Sequence, residues 1–330
     1  MPFSPFVVGL VLALALGSGA VECAQADSDR VARVGYVATV AKSSISTGYT
    51  VDFWQRLHEL GWTRGKNILV EERWANGDMD RMPGLIAEVI ARNVDVIVTG
   101  TDSGALAARK TTSTIPIVAV ALGDPVGTGV VDSLARPGGN LTGLSLQTGE
   151  GVPGKCLELI RETLPGLSTI AVLWNPRFPT ARVQVRQLEK DAATHGIKLQ
   201  LIAYDSWQSL EAAFAQARAQ AKAAMFFSDP LTYSDRRRVT ALAAQSRLPM
   251  IYTVLDFVND GGLMGYGADF RVMYRRAAEY VDKVLRGAQP RDLPIEQANQ
   301  LKLALNLKTA QALGLRIPES ILLRAEDLSR

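Results

Sequence analysis

Cysteine and histidine are scarce in this sequence of 330 residues, which contains two of each. Cys23 lies in a leader that we expect to be removed, so Cys156 would remain alone and no internal disulfide could form. His58 and His195 each lie on a predicted amphipathic helix beside charged residues, away from any predicted strand end. Metal centres and Ser-His-Asp catalysis need clustered ligands or a histidine base. We therefore expect no catalytic residues, no bound metal and no cofactor.

The sequence also lacks the glycine patterns that bind nucleotide phosphates. Its most glycine-rich run, GGLMGYG at residues 261–267, follows G-G-x-x-G-x-G rather than G-x-G-x-x-G, and no G-x-x-x-x-G-K-[ST] occurs. The net charge is only +3, and basic residues are scattered along the chain. We expect neither a nucleotide cofactor nor a nucleic-acid partner.

Long apolar runs are absent except at the amino terminus. There an apolar core at residues 6–16 precedes an A-x-A cleavage pattern at residues 24–26, so we predict a signal peptide over residues 1–26. A membrane anchor is the alternative, but this core is too short to span ~30 Å of hydrocarbon. Lipidation at Cys23 is a second alternative, which the neighbouring Glu22 disfavours. We expect an exported, soluble, periplasmic protein.

What the sequence does contain is one strand and helix pattern that occurs twice. The first copy, from residue 33, reads RVGYVAT, VDFWQRLHELG, ILVEERW, MPGLIAEVIARN, VDVIVTG, SGALAARKT and PIVAV. The second, from residue 168, reads STIAVLW, ARVQVRQLEKDAATHG, KLQLIAY, SLEAAFAQARAQ, AAMFFSD, SDRRRVTALAAQS and PMIYTV. Strands that alternate with helices of ~10 to 15 residues indicate βαβ units and a parallel sheet. We predict an α/β protein of two similar lobes, each with a parallel sheet flanked by helices.

The segments outside the two copies predict how the lobes are joined. The glycine-rich segment 121–146 is typical of a crossover. The helix MYRRAAEYVDKVLRG is expected to cover the first lobe, so the chain would cross back near residues 259–263 and again near residues 294–300. The predicted lobes are then residues 31–145 with 263–296, and residues 146–262 with 297–330. A hinge of several crossovers permits closure on a ligand.

Polar side chains follow the third strand of each copy. In VIVTGTDSGALAARK, residues 96–110, threonine, aspartate and serine occur where a strand ends and a helix begins, and SDPLTYS, residues 228–234, occupies the matching place. Such residues cap helices. Ligands of open parallel sheets also bind beyond the carboxyl ends of strands, so two such loops facing each other would form a binding cleft.

Candidate ligand contacts come from both lobes and differ in character. The first lobe and the crossover offer hydroxyl and acidic side chains: Ser43, Ser44, Thr101, Asp102, Ser103 and Asp124. The candidates expected opposite them are aromatic and acidic: Phe178, Asp229, Tyr233, Asp256 and Tyr266. Tyr252 and Phe257 also lie near strand ends, and for the aromatic residues packing in the core is an equally good interpretation. The division predicts a small ligand with a polar head and an apolar body.

Two blocks of the sequence resemble a known family. Residues 115–145, IPIVAVALGDPVGTGVVDSLARPGGNLTGLS, and residues 293–328, LPIEQANQLKLALNLKTAQALGLRIPESILLRAEDL, are similar to the exported substrate-binding proteins of ABC transporters whose tryptophan-binding members are best known. The resemblance covers nearly all of the chain after the leader. It implies a type I periplasmic-binding-protein fold with three crossovers, a small-molecule ligand in the cleft, and an ABC permease in the inner membrane as partner. We expect a monomeric, non-enzymatic solute-binding component of an importer.

The departures from this family concern the ligand. Amino-acid-binding members present an Asn-Ser pair, a Thr-Asp-Asn-Thr run and Asp-rich residues at three places where this sequence has Pro179-Thr180-Ala181, residues 228–232 and residues 254–257. We therefore expect an aromatic or branched carboxylate first and an amino acid second. A ligand-sensing protein that serves a signalling partner and a periplasmic enzyme remain as alternatives. A repressor-type core would carry a basic helix-turn-helix before Arg33, where a signal peptide is predicted instead.

Overall fold

The computed structural model describes residues 31–45, 48–146 and 151–329. The predicted signal peptide and the question of lipidation at Cys23 lie outside the described residues. The strands of the described part are β1 (Ala32–Ala38), β2 (Ile68–Trp74), β3 (Val96–Thr99), β4 (Ile117–Leu122), β5 (Leu141–Ser145), β6 (Thr169–Trp174), β7 (Lys198–Ala203), β8 (Ala224–Phe226), β9 (Met250–Tyr252), β10 (Met264–Ala268), β11 (Glu296–Gln297), β12 (Leu301–Leu305) and β13 (Ala325–Asp327). The helices are α1 (Lys42–Ile45), α2 (Tyr49–Glu59), α3 (Met82–Ile90), α4 (Thr101–Thr111), α5 (Val152–Thr163), α6 (Pro179–Thr194), α7 (Trp207–Gln220), α8 (Pro230–Ser234), α9 (Arg236–Ser246), α10 (Asp256–Asn259), α11 (Phe270–Leu285), α12 (Leu307–Ala312) and α13 (Glu319–Leu322), with short 3₁₀ turns at Met79–Arg81 and Pro290–Asp292.

The strands form two sheets, one for each lobe. The first has the order β11-β5-β4-β3-β1-β2, and its strands are all parallel. The second has the order β13-β12-β10-β9-β8-β6-β7 and is parallel except for the antiparallel pair of β10 and β12. The predicted α/β fold of two lobes with parallel sheets flanked by helices is confirmed.

Each sheet is buried on both faces because apolar side chains alternate between them. In β3, Val96 and Val98 join the cluster beneath α2 and α11, whereas Ile97 joins the cluster beneath α3 and α4. This alternation follows from the period of two along a strand. The short run VIV is apolar throughout because helices cover both faces of a parallel sheet.

The chain crosses between the lobes three times in the described part. The first crossing lies between β5 and α5, the second at Asp269 between β10 and α11, and the third between β11 and β12. The third falls within the predicted segment. The second does not, because Met264–Ala268 pairs with β9 and β12 in the second sheet, so the prediction that residues 263–268 belong to the first lobe is wrong.

Glycines explain why the sequence pattern does not show Met264–Ala268 as a strand of the second lobe. A Cβ on Gly267 would lie 2.5 Å from the carbonyl oxygen of Thr253, and one on Gly265 would lie 2.8 Å from a methyl of Val258. Glycine in a strand often marks such a close approach of backbone or side chain. Gly265 and Gly267 of GGLMGYG therefore reflect tight packing in the second lobe.

The two lobes contact each other across the cleft. The backbone N–H of Ala41, after β1, donates to the hydroxyl of Ser234 in α8 at 3.0 Å. Gly77, after β2, lies so close to the second lobe that a Cβ there would be 2.7 Å from the Cα of Leu231. The structure is therefore that of closed lobes.

Candidate functional site

A cavity of about 450 Å³ lies between the lobes, at the carboxyl ends of the central strands of both sheets. From the first lobe it is lined by Tyr36, Ala38, Thr39, Val40, Gly100, Thr101, Ala121, Gly123, Asp124, Leu146, Phe270 and Tyr274. From the second it is lined by Gly151, Val152, Pro153, Phe178, Thr180, Val183, Gln184, Arg186, Gln187, Lys190, Ser228, Asp229, Pro230, Tyr233, Thr253, Val254, Gly267 and Ala268. Its volume falls in the range of ~300 to 1,000 Å³ that is usual for small-molecule sites.

The structure brings five of the eleven predicted site residues to this cavity. They are Thr101, Asp124, Phe178, Asp229 and Tyr233. Their convergence follows from the fold, because the carboxyl ends of parallel strands from two lobes meet at one cleft. Whether they contact a ligand stays a prediction.

Four other predicted residues lie away from the cavity lining. Ser43 is exposed on the short helix α1, and Ser44 in the same helix donates its hydroxyl to the carbonyl of Ala41 at 2.6 Å. Ser103 is half-buried within α4, and Tyr266 packs from β10 against the core of the second lobe. We remove these four from the candidate ligand contacts, because none of them lines the cavity.

Asp102 is also absent from the lining, since it is fully buried in a contact between the lobes. Its Oδ2 accepts hydrogen bonds from the backbone N–H of Gly123 at 2.9 Å and of Asp124 at 3.3 Å, and from the hydroxyl of Thr180 at 2.5 Å. Burial raises the pKa of Asp102, and these donors oppose the rise. We therefore reassign Asp102 from a ligand contact to a structural role. Its carboxylate joins α4 to the segment after β4 and to α6 of the second lobe.

Asp256 likewise serves the protein rather than the cavity. It is 6% exposed, and its carboxylate accepts hydrogen bonds from the hydroxyls of Tyr49 and Tyr233. Tyr49 begins α2 in the first lobe, so this contact also crosses the cleft. We reassign Asp256 from a ligand contact to a contact between the lobes.

Asp229 lines the cavity but is engaged in capping. Its Oδ1 accepts from the N–H of Thr232 at 2.8 Å and from the hydroxyl of Thr232 at 2.7 Å, and its Oδ2 accepts from the side-chain amide of Asn175. The bond from the N–H of Thr232, together with the bond that the N–H of Asp229 donates to the Thr232 hydroxyl at 3.1 Å, forms a capping box on α8. Burial raises the pKa of Asp229, opposed by the same donors. The residue therefore orients the helix that carries Tyr233 into the cavity wall.

Three helices of ordinary length begin at the cavity without a side-chain cap, and α4 and α5 are two of them. The N-cap residue is Gly100 for α4 and Gly151 for α5, and neither helix has a capping side chain. Thr101, the first residue of α4, has φ +63°, a left-handed conformation that is unusual for a β-branched residue. Backbone strain of this kind collects at ligand-binding positions. The first turns of both helices thus present N–H groups and partial positive charge toward the cleft.

Aromatic rings form much of the cavity wall, and the sequence identified only some of them. Phe178 and Tyr233 come from the second lobe, while Phe270 and Tyr274 come from α11 of the first lobe. The last two were missed because α11 was expected only as a covering helix; the signal was the aromatic residue directly after the strand, in GADF. Tyr252 and Phe257 are instead core residues of the second lobe, with rings stacked at 4.9 Å.

Thr39 and Thr180 are two further lining residues that the sequence did not single out. Thr39 follows β1, and Thr180 is the second residue of α6, next to the predicted Phe178. A rule that every polar side chain directly beyond a central strand lines the cleft would have found Thr39. Thr180 drew attention only as part of Pro179-Thr180-Ala181, which stands where amino-acid-binding family members have an Asn-Ser pair.

Charges around the cavity are unevenly distributed. Asp124 is half-exposed in the lining, and its Oδ1 accepts from the N–H of Gly127 at 2.8 Å. Among the described lining residues the basic side chains are Arg186 and Lys190, and both are exposed. The inner cavity therefore offers helix N-termini to an anionic group and Asp124 to a cationic one.

The described residues contain no cluster of three or more His, Cys, Asp or Glu that could hold a metal ion. Within the same residues, no helix is both long and apolar enough to cross a membrane.

Comparison with known proteins agrees with this architecture. The family model for ABC transporter substrate binding proteins matches residues 38–329. A tyrosine-binding protein of Clostridioides difficile is 25% identical over 290 residues, which is 88% of this chain and 83% of that protein.

Two solved structures are similar to this chain over nearly its whole length. The structure of a conserved domain protein from Vibrio cholerae has a TM-score of 0.84 at 28% identity, covering 90% of this chain and 99% of that one. The structure of an ABC domain in complex with L-Trp from Streptococcus pneumoniae has a TM-score of 0.83 at 25% identity, with the same coverage. The family consists of solute-binding proteins rather than enzymes. With its match from residue 38 to residue 329 and this two-lobed fold, the chain belongs to the ABC transporter substrate-binding protein family.

Proposed function

We propose that the protein is the solute-binding component of an ABC importer and captures a small aromatic acid between its lobes. The observation that carries the proposal is the cavity wall, which is lined by Phe178 and Tyr233 of one lobe and by Phe270 and Tyr274 of the other. An aromatic body placed there would contact rings from both lobes. Burial of such a body on closure would supply much of the affinity.

The polar head of the ligand is proposed to be a carboxylate. The uncapped first turns of α4 and α5 supply N–H donors, and a helix N-terminus carries roughly half a positive charge. The basic side chains of the described lining are exposed, so backbone donors would recognise the carboxylate. This arrangement binds a carboxylate without a buried ion pair.

A second group on the ligand, an amine, is proposed to contact Asp124. Its Oδ1 accepts from the N–H of Gly127, which fixes the carboxylate beside the cavity. Aromatic amino acids satisfy both ends of the site, and relatives of this chain are described as tyrosine-binding and as a complex with L-Trp. The expected order of affinity is therefore aromatic amino acid, then the corresponding acid without the amine.

A calorimetric and thermal-shift screen tests the proposal. L-tryptophan, L-tyrosine and L-phenylalanine would be compared with indole-3-propionate, 3-phenylpropionate, aliphatic amino acids and sugars. A ligand at ~1,000 times its dissociation constant stabilises by about 4 kcal/mol. At ~2 to 4 °C per kcal/mol this raises the melting temperature by several degrees. A response to sugars alone would contradict the proposed aromatic acid.

The variant Asp124→Asn tests recognition of the amine. It retains an oxygen for the N–H of Gly127 but removes the charge, so affinity for an aromatic amino acid should fall about tenfold or more, while affinity for the deaminated analogue stays the same. Asp132→Asn is the matched control, because Asp132 is exposed in the same crossover and does not line the cavity. Equal losses for both ligand types would remove the proposed role of Asp124.

Export to the periplasm and delivery to an inner-membrane permease complete the proposed function. The first rests on the leader at residues 1–26 and the second on membership of the family. Intact-mass analysis of the periplasmic fraction should find a chain that begins near Asp27. A chain that retains the leader, or a lipidated Cys23, would contradict the proposed soluble periplasmic form.

A further inference from the structure

Beside the cavity, one buried carboxylate connects the two lobes through two tyrosines. Asp256 accepts hydrogen bonds from Tyr49, which belongs to the first lobe, and from Tyr233, which belongs to its own lobe. Tyr233 lines the cavity and the other two residues do not. The same acceptor therefore serves one bond within a lobe and one bond between lobes.

An arginine at the same place adds charge compensation and another contact across the cleft. The guanidinium of Arg236 lies 5.0 Å from the centroid of the Tyr233 ring, and its Nη1 donates to the carbonyl of Ser44 at 3.0 Å. Its Nε lies 2.6 Å from Oδ2 of Asp260. A buried carboxylate such as Asp256 is costly unless donors and a cation surround it, and the two hydroxyls with Arg236 provide both.

The tyrosines also connect this carboxylate to the aromatic wall of the cavity. The ring of Tyr49 packs edge-on against Phe270 with centroids 5.4 Å apart, and lies 5.6 Å from the ring of Tyr274. The ring of Tyr233 lies 6.5 Å from that of Phe270. Loss of the Tyr49 hydrogen bond would thus remove a contact between the lobes and would weaken the packing that supports the aromatic wall.

The hydroxyls stay protonated and act as donors over the whole physiological range. Burial, with the nearby charge of Asp256, raises the pKa of Tyr49 and of Tyr233 far above the ordinary tyrosine value. The direction of both hydrogen bonds is therefore fixed, with the phenols donating and the carboxylate accepting.

We propose that Tyr49, Tyr233, Arg236 and Asp256 form an interlobe latch, in which Asp256 is a positioning residue that couples lobe closure to the placement of the aromatic cavity wall. The latch deepens the proposed function, because capture by closure is what it would stabilise. It acts on closure itself, so it is testable without any ligand, and failure of the latch is distinguishable from failure of the ligand assignment.

The tyrosines provide a matched pair of variants. Tyr49→Phe and Tyr233→Phe each remove one hydroxyl from the same acceptor, but only the first removes a bond between the lobes. If the two bonds only stabilised the fold, loss of either one should have the same effect. A latch requires that Tyr49→Phe reduce closure, while Tyr233→Phe leaves the interlobe bond in place.

Closure can be measured in the ligand-free protein by cross-linking. Asp80 and Arg177 are exposed and lie opposite each other across the cleft mouth, 3.4 Å apart at their charged ends. Asp80→Cys with Arg177→Cys would place two thiols there for a short bifunctional thiol reagent, and buried Cys156, whose pKa is raised by burial, would not compete. The initial rate of cross-linking reports the closed population in each background, however small it is.

The expected result is an initial rate lowered about tenfold by Tyr49→Phe, which corresponds to ~1.4 kcal/mol. Tyr233→Phe should change the rate by less than about threefold, since its lost bond lies within one lobe. The melting temperature of ligand-free protein should be unchanged for Tyr49→Phe, which shows that the lobes themselves remain intact. An unchanged rate for Tyr49→Phe, or equal losses for both variants, would overturn the latch.

Discussion

The substitution Gly123→Ala should prevent closure without weakening either lobe. Gly123 follows β4 in the first lobe, and a Cβ at this position would lie 2.1 Å from Cγ2 of Thr180 in the second lobe. The backbone of Gly123 is outside the left-handed region, so alanine causes no local strain. The nearest contact within the first lobe is Oδ2 of Asp102 at 2.8 Å, which would have to shift by a few tenths of an ångström while it accepts from the N–H groups of Gly123 and Asp124.

The magnitude follows from two contributions to the closed structure. Relief of the overlap requires the lobes to move apart, and overpacking of this kind costs about 1 to 3 kcal/mol. That movement also breaks the hydrogen bond from Thr180 to the Asp102 carboxylate, a charged hydrogen bond worth about 1.5 to 3 kcal/mol. We expect a combined loss of about 3 kcal/mol, which is roughly a 150-fold increase in Kd.

Calorimetric titration with the tightest ligand from the screen gives Kd, and small-angle scattering at saturating ligand reports closure. Gly84→Ala is the matched control, because Gly84 lies in α3 of the same lobe, does not line the cavity, and has no atom within 4 Å of an added Cβ. Thr180→Ser should partly restore binding in the Gly123→Ala background, since it removes the clashing methyl and keeps the hydroxyl.

Three results would refute this reasoning. One is a Gly123→Ala variant that binds the ligand with the Kd of the wild type and becomes as compact as the wild type in small-angle scattering. Another is a fall of several degrees in the melting temperature of the ligand-free variant, because the clash would then act within a lobe. The third is a failure of Thr180→Ser to improve binding, because the overlap with Cγ2 would then not be the cause.

Burial raises the pKa of Asp102 in the folded protein, so its contribution to the unfolding free energy falls as the pH rises through the raised pKa, and Asp102→Asn should remove this part of the pH dependence in denaturant titrations. Hydrogen bonds from Arg276 hold the pKa of Glu296 below its ordinary value of 4.5, so this stabilisation is present above that value and is lost as the pH falls through the lowered pKa. Arg276→Gln should lower the neutral-pH unfolding free energy by about 1 kcal/mol or less, and an unchanged acid dependence in denaturant titrations would contradict the pairing. Ser206 caps α7 in a capping box with Ser209, so Ser206→Ala should cost about 1 kcal/mol of stability while Kd stays unchanged.

Most of the fold was accessible from the sequence because its signals are local. Buried strands such as VIV at residues 96–98 and amphipathic helices such as α11 show in the pattern of apolar residues itself. The crossover predicted near residues 259–263 is wrong because the strand that follows it has a weak local signal. Gly265 and Gly267 weaken the strand signal, and the reason for their presence is contact with Val258 and Thr253, which no local pattern reveals.

The candidate site was less accessible, because the side chains that satisfy each acidic residue are distant in sequence. Asp102 follows a strand as a ligand-binding residue would, but its partners are Gly123 and Thr180. Asp256 is satisfied by Tyr49, 207 positions earlier in the chain. Position beyond a strand end predicted that these residues lie near the cleft, whereas their hydrogen-bond partners decide whether they are available to a ligand.

The hydrogen-bond partners of the cleft carboxylates divide them into two groups. Asp102 and Asp256 accept bonds from the opposite lobe, and Asp229 caps α8, so these three acids are committed to closure and to the cavity wall. Asp124 lines the cavity and its carboxylate accepts a bond within its own turn, and among the described residues no bond to the opposite lobe holds it. Changes of specificity are then expected at Asp124 and at the aromatic wall, because substitutions there leave the contacts between the lobes intact.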